Sequence, residues 1–194
     1  MAHSVASFAK IFNFPDRPQL VAFVDPAAEE PTIIMLTMAA GMVATTHMSF
    51  NNPEAPFQSK QLAIAKLLEL IDEGKARQVA HALETSLNKH LPIMGALDDL
   101  LQAVGLRFQP FARLVDGPSG EKVLLIKQSQ DEQPSIRTVT ATQSSMATFH
   151  SDAARDGAFS DTNRFESFMP SEILVELGMS PVRISPAQRK PGPR

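Results

Sequence analysis

Thr32-Ile-Ile-Met-Leu-Thr-Met-Ala-Ala-Gly-Met-Val-Ala-Thr-Thr-His-Met-Ser-Phe50 runs for nineteen residues without a charge, either as one membrane-spanning helix or as two strands of a sheet. A membrane-spanning helix needs about 20 predominantly apolar residues. This run is diluted by threonines, a serine and a histidine, and Glu29 and Glu30 precede it with no nearby Lys or Arg to orient it. Two strands fit better. Ile33 to Met38 is apolar with β-branched residues at its start, the pattern of a strand covered on both faces. Met42 to Phe50 alternates, with Met42, Ala44, Met48 and Phe50 on one side and Val43, Thr45, His47 and Ser49 on the other, which describes a half-covered strand. Ala39-Ala40-Gly41 between them turns the chain, because glycine tolerates positive φ.

Working outward, Ser4 to Phe12 reads as a short helix with Val5, Phe8, Ala9 and Phe12 on one face, ended by Pro15. Gln19 to Val24 reads as a strand. After the central pair, Ile64, Leu67, Leu68 and Ile71 stand at the i, i+3, i+4, i+7 positions of an amphipathic helix that ends near Gly74. A second helix follows over Ala76 to Lys89, with Val79, Ala82, Leu83 and Leu87 on its face. A third carries Ile93, Leu97, Leu100, Leu101 and Val104 between Pro92 and Gly105. Leu106 to Val115 and Val123 to Lys127 form a hairpin across Asp116 to Glu121, and Ile136 to Thr142 adds a strand. The result is an α+β fold: a largely antiparallel sheet covered by amphipathic helices over residues 1–143.

After Gln143 the regularity stops, and residues 144–194 read as a mobile tail. Within it, Ser171 to Leu177 forms a short helix showing Ile173, Leu174 and Leu177, which either packs back on its own domain or docks in a partner's groove. From Gly178 onward Arg183, Arg189, Lys190 and Arg194 meet no acid, so the end of the chain is a small basic arm.

Composition sets outer limits. A length of 194 residues with 43% hydrophobic content suits a domain with a real core. The absence of cysteine excludes disulfides, a thiolate nucleophile and thiolate zinc ligation. Met1 to Phe14 has neither the basic cluster nor the apolar run of a secretory signal, which reads as cytoplasmic. With no Trp or Tyr, phenylalanine has to supply any aromatic anchor.

Catalytic chemistry finds little to attach to. His81 and His90 are nine residues apart and fall on opposite sides of one helix. His150-Ser-Asp152 lacks a third ligand, and His47 lies on the more polar face of its strand, so no metal or cofactor is expected. An enzyme reading requires His47, His81 or His150 to meet carboxylates only in the fold. There is no Gly-x-Ser-x-Gly elbow. Gly117-Pro-Ser-Gly-Glu-Lys122 has the wrong spacing for a phosphate loop, and Asp98-Asp99 diverge around their helix.

The order helix, three strands, helix over residues 4–73, with Ser59-Lys60-Gln61-Leu62-Ala63 opening the second helix, resembles the double-stranded-RNA-binding domain. That family places a basic cluster there; this chain has Lys60-Gln61 in place of its lysine pair and Leu67 and Leu68 where its alanines follow. The resemblance implies RNA binding through Lys60 and Lys66, as the alternative to the main reading. The main reading is a non-catalytic interaction or assembly factor, of the kind a phage or other mobile element encodes. It binds a protein partner with Ile173, Leu174 and Leu177 as apolar anchors and Arg189, Lys190 and Arg194 supplying electrostatic attraction. A homodimer paired through an exposed strand edge accompanies it, with no membrane contact.

Overall fold

The computed structural model describes residues 3–39, 41–90, 108–117, 120–161 and 168–179. His3–Ala6 (β1), Ala9–Phe12 (β2), Leu20–Val24 (β3), Thr32–Ala39 (β4) and Met42–Ser49 (β5) form a five-stranded antiparallel meander in chain order. The central hairpin lies where the sequence places it. Thr32 faces Ser49 and Ala39 faces Met42, and Gly41 takes φ 79° in the turn. Because β4 is apolar at both parities, both of its faces need cover. Ile33 and Met35 lie on one side with Leu20 and Ala22 of β3, and Ile34 and Leu36 on the other with Val21 and Phe23.

The first of those faces is covered by two helices, Phe57–Glu69 (α1) and Glu73–His90 (α2). Ile64 and Leu68 of α1 and Ala76, Ala80 and Leu83 of α2 are the apolar stripe that meets the sheet. Lys10 of β2 reaches the end of α1, its Nζ donating to the carbonyls of Glu69 at 2.7 Å and Ile71 at 3.2 Å. A cation there satisfies orphan carbonyls and complements the helix dipole.

The second face is covered by another sheet rather than by helices. Ala112–Asp116 (β6), Lys122–Gln130 (β7), Gln133–Val139 (β8) and Ser144–Thr148 (β9) form a four-stranded antiparallel meander, again in chain order. Leu124, Ile126 and Val139 interdigitate with Ala9, Ile11, Val21 and Phe23. Arg137 of β8 adds a polar link, pairing with Asp25 at 3.3 Å while its guanidinium sits 5.2 Å from the Phe23 ring centre. The opposite residues of the second sheet, Val115, Val123, Leu125 and Ile136, face outward onto Asp152–Ser160 (α3) and Ser171–Glu176 (α4). The described residues therefore form four layers, helices on sheet on sheet on helices, and each meander is followed by the helix pair that covers its outer face.

Two expectations are corrected and one is refined. Ser4 to Phe12 is the β1–β2 hairpin, not a helix; its apolar residues fit a period of 3.6, but strands of four residues are too short to display a period of two. With that helix gone, the helix–three-strand–helix order behind the RNA-binding alternative is gone as well. The α+β class, with antiparallel sheet covered by helices, stands as read from the sequence; the sheet is divided in two, because β6 to β8 carry apolar residues on both faces and so form a layer of their own. Finally, Gln143 lies in the turn between β8 and β9, where its carbonyl accepts from the Thr140 amide at 2.8 Å. The described part of the chain beyond it supplies a strand and two helices to the fold instead of a mobile tail. The helix read over Ile93 to Val104, with Asp98 and Asp99, and the basic arm Arg183, Arg189, Lys190 and Arg194 lie outside the described residues.

Ser135 of β8 is fully buried, and its hydroxyl has no hydrogen-bond partner among the described residues. An unpaired buried polar group costs about 1–3 kcal/mol. Ser135→Ala is therefore expected to raise stability by about 1 kcal/mol, read as a higher urea midpoint at unchanged slope.

Candidate functional site

A strand at the rim of a sheet presents unpaired amides and carbonyls. Which of them point outward on β5 follows from its pairing with β4. The Phe50 amide donates to the Pro31 carbonyl at 3.3 Å, and the Asp25 amide donates to the Thr32 carbonyl at 2.8 Å, so Thr32 turns its backbone toward β3 and away from β5. Alternation along an antiparallel ladder then directs the backbone of Met42, Ala44, Thr46 and Met48 toward β4. Val43, Thr45, His47 and Ser49 direct theirs to the open side.

Side chains make the rim more distinctive. Ile34 faces His47 and Leu36 faces Thr45 across the ladder, so the odd residues of β5 lie on the side of the first sheet that the second sheet covers. Yet Val43, Thr45, His47 and Ser49 are all exposed: β5 overhangs the second sheet. On its helix side Ala44 and Phe50 pack at the margin of the helix-facing core, while Met42 and Met48 are 37% and 39% exposed. This is an eight-residue rim with no charge and no proline. The other rims among the described residues are shorter: β1 has four residues, β9 has five, and β6 has five including Arg113 and Asp116.

The residues singled out from sequence are scattered. Ile173, Leu174 and Leu177 are buried at 1%, 5% and 1% exposure against Val115, Val123 and Ile136, so α4 spends its apolar face on its own domain and cannot offer these three as partner anchors. Only Val175 of that helix is apolar and exposed. Lys60 is buried too, its Nζ 3.2 Å from Glu30, which removes it from any phosphate-binding face; Lys66 is exposed. His47, His81 and His150 are exposed on β5, on α2 and ahead of α3, and no three His, Asp or Glu side chains cluster as metal ligands among the described residues.

A cleft of about 470 Å³ opens between Ile11 of β2, with Asn13 just beyond it, and Arg113 and Lys127 on the other sheet. Both cations are engaged there. Arg113 donates to the carbonyls of Phe159 and Ser160 at 2.8 and 3.1 Å, ending α3, and Lys127 pairs with Asp156 at 3.4 Å. Burial of Asp156 opposes ionisation, but hydrogen bonding from Arg155 and the charge of Lys127 outweigh it and hold the carboxyl below the usual carboxylate range. Asp16 is likewise lowered, chiefly by its hydrogen bond from Arg77. A depressed folded-state pKa contributes stability that is complete above the unfolded value, about 3.9, and is lost as pH falls through the folded one. Both carboxylates are half exposed, so the effect is small. Asp156→Asn should flatten, without abolishing, the fall of the urea midpoint between about pH 5 and pH 2.

The free β5 rim was legible only in part. The absence of charge is visible in sequence, but whether a strand lies at the rim depends on the order of strands around it, which no single segment encodes. Scans against protein-family models, curated proteins and solved structures each find no match. The class is defined by geometry: among the described residues, an α+β arrangement of two antiparallel meanders face to face with helices outside, and one long uncharged edge that no described strand pairs. No helix among the described residues is long and apolar enough to cross a membrane.

Proposed function

We propose that the protein is a non-catalytic assembly factor that joins polypeptides by strand addition at β5. The observation that carries this reading is the uncharged eight-residue rim, which among the described residues is unpaired along its edge and exposed on the overhanging face. Backbone hydrogen bonds from Val43, Thr45, His47 and Ser49 supply affinity for an added strand, and flanking Met42, Val43 and Met48 supply apolar contact. The device contains none of the lysines, prolines or bulges by which rims are ordinarily blunted. It replaces the α4 anchors as the docking element.

The test is a photo-crosslinking amino acid at position 49 in the native host, after nuclease treatment, with position 146 on the β9 rim as the comparison. A protein adduct at 49, absent at 146, supports strand addition. No protein adduct at 49, or equal labelling at both, sinks it.

A further inference from the structure

Resting on that reading, we infer that the strand added at β5 is β5 of a second copy of the chain, so that two five-stranded sheets become one continuous sheet about a twofold axis at Thr46. A twofold interface is isologous, so the surface must complement itself. Charge is the usual obstacle, because a charged strand meets its own sign in the partner. Met42-Val-Ala-Thr-Thr-His-Met-Ser49 carries no acid, Lys or Arg.

The register follows from the backbone. The outward groups belong to Val43, Thr45, His47 and Ser49, and the midpoint of that row is Thr46. Antiparallel pairing about Thr46 sets Val43 opposite the other copy's Ser49 and Thr45 opposite its His47, and the reverse. Every outward amide and carbonyl of the strand is then used in hydrogen-bonded pairs. Shifting the axis to Thr45 or His47 leaves outward groups of the strand without a partner within it.

The side chains agree with that choice. An axis perpendicular to the sheet keeps both helix layers on one side, so like faces meet. On the helix side Thr46 meets Thr46 in a closely spaced pair suited to a hydroxyl hydrogen bond, and Ala44 meets Met48, the small residue opposite the large. On the overhanging side Val43 meets Ser49 and Thr45 meets His47. The exposed Met48 and Val43 lose water at the seam.

Sedimentation equilibrium on the purified full chain tests this directly, together with two double variants, T45K/H47K and T45E/H47E. Both positions are exposed, so each variant should keep the wild type's circular dichroism and unfold in one cooperative transition, with its midpoint lowered only by the lost association, which separates a lost interface from a lost fold. The wild type is expected to be a dimer. In each variant like charges stand opposite one another across the seam, weakening self-association on the order of tenfold or more. Mixing the two variants sets the introduced lysines of one against the introduced glutamates of the other, and the dimer is expected to return. A monomeric wild type at about 100 μM overturns the inference, as do variants that stay dimeric or a mixture that stays monomeric. If the wild type is monomeric while the crosslinker at position 49 captures a different protein, this inference fails and the strand-addition reading stands.

Discussion

A chain ended at Gln143 is expected not to fold. The cut removes β9, which pairs with β8 along its length from Val139–Ser144 to Ser135–Thr148, and it removes both outer helices. Val115, Val123, Leu125 and Ile136, now 4% exposed or less, would become a bare sheet face. Each such side chain gives up about 1.5–3 kcal/mol when returned to water. Four of them consume about 6–12 kcal/mol, comparable with the whole stability of a typical domain at about 5–15 kcal/mol. The corner at Thr140 is lost as well, since Thr140 and Thr142 hydroxyls both donate to the Glu176 carboxylate, at 3.2 and 2.8 Å.

Circular dichroism and limited proteolysis of the truncated chain are the checks. Cooperative unfolding near the wild-type midpoint would show that the outer helices are dispensable. Leu177→Ala is the graded version. Leu177 Cδ2 lies 3.1 Å from where a side chain on Gly117 would begin, so it is seated tightly against the turn leaving β6. Truncating a buried Leu to Ala costs about 2–5 kcal/mol. For the same reason a pull-down that compares the full chain with one ended at Gln143 reports on folding rather than on docking by α4.

The segments that read well from sequence are those whose pattern is long enough to have one period. The β4–β5 hairpin spans eight residues a side around Gly41, and the stripe Ile64 and Leu68 of α1, continued by Ile71 just past its end, recurs over about two turns. The β6–β7 hairpin was legible from its turn residues. The β1–β2 hairpin failed because Val5, Phe8, Ala9 and Phe12 sit at spacings that a helix also satisfies. Ser144 to Ser160 failed for another reason: β9 is only half buried and α3 places Phe159 alone in the core, so neither shows the apolar density by which an element announces itself. The rim at β5 is a property of sheet order, and the burial of Ile173, Leu174 and Leu177 depends on a second sheet that had not been separated from the first.

Beside the shared apolar core and the Arg137–Asp25 pair, the two sheets are joined through the side chain of Gln19, the residue just before β3. Gln19 is 8% exposed and faces the segment that enters β6. Its Oε1 accepts from the amides of Phe111 at 2.9 Å and Ala112 at 3.0 Å, while its Nε2 donates to Asn13 Oδ1 at 2.6 Å. Its own carbonyl accepts from the buried Thr37 hydroxyl at 2.8 Å. Gln19→Leu keeps the bulk and removes the acceptor, leaving two buried amides unsatisfied at about 1–3 kcal/mol each. The expected loss is about 2–6 kcal/mol, against about 1 kcal/mol for Asn13→Ala, which leaves the acceptor in place and removes the group that orients the amide. Hydrogen exchange separates this from a general loosening. In Gln19→Leu the amides of Phe111 and Ala112 should exchange faster than those of Leu124 and Leu125 in the middle of the second sheet. Uniform acceleration across both sheets, or a stability within about 0.5 kcal/mol of the wild type, would mean that the sheets are held by their apolar faces alone.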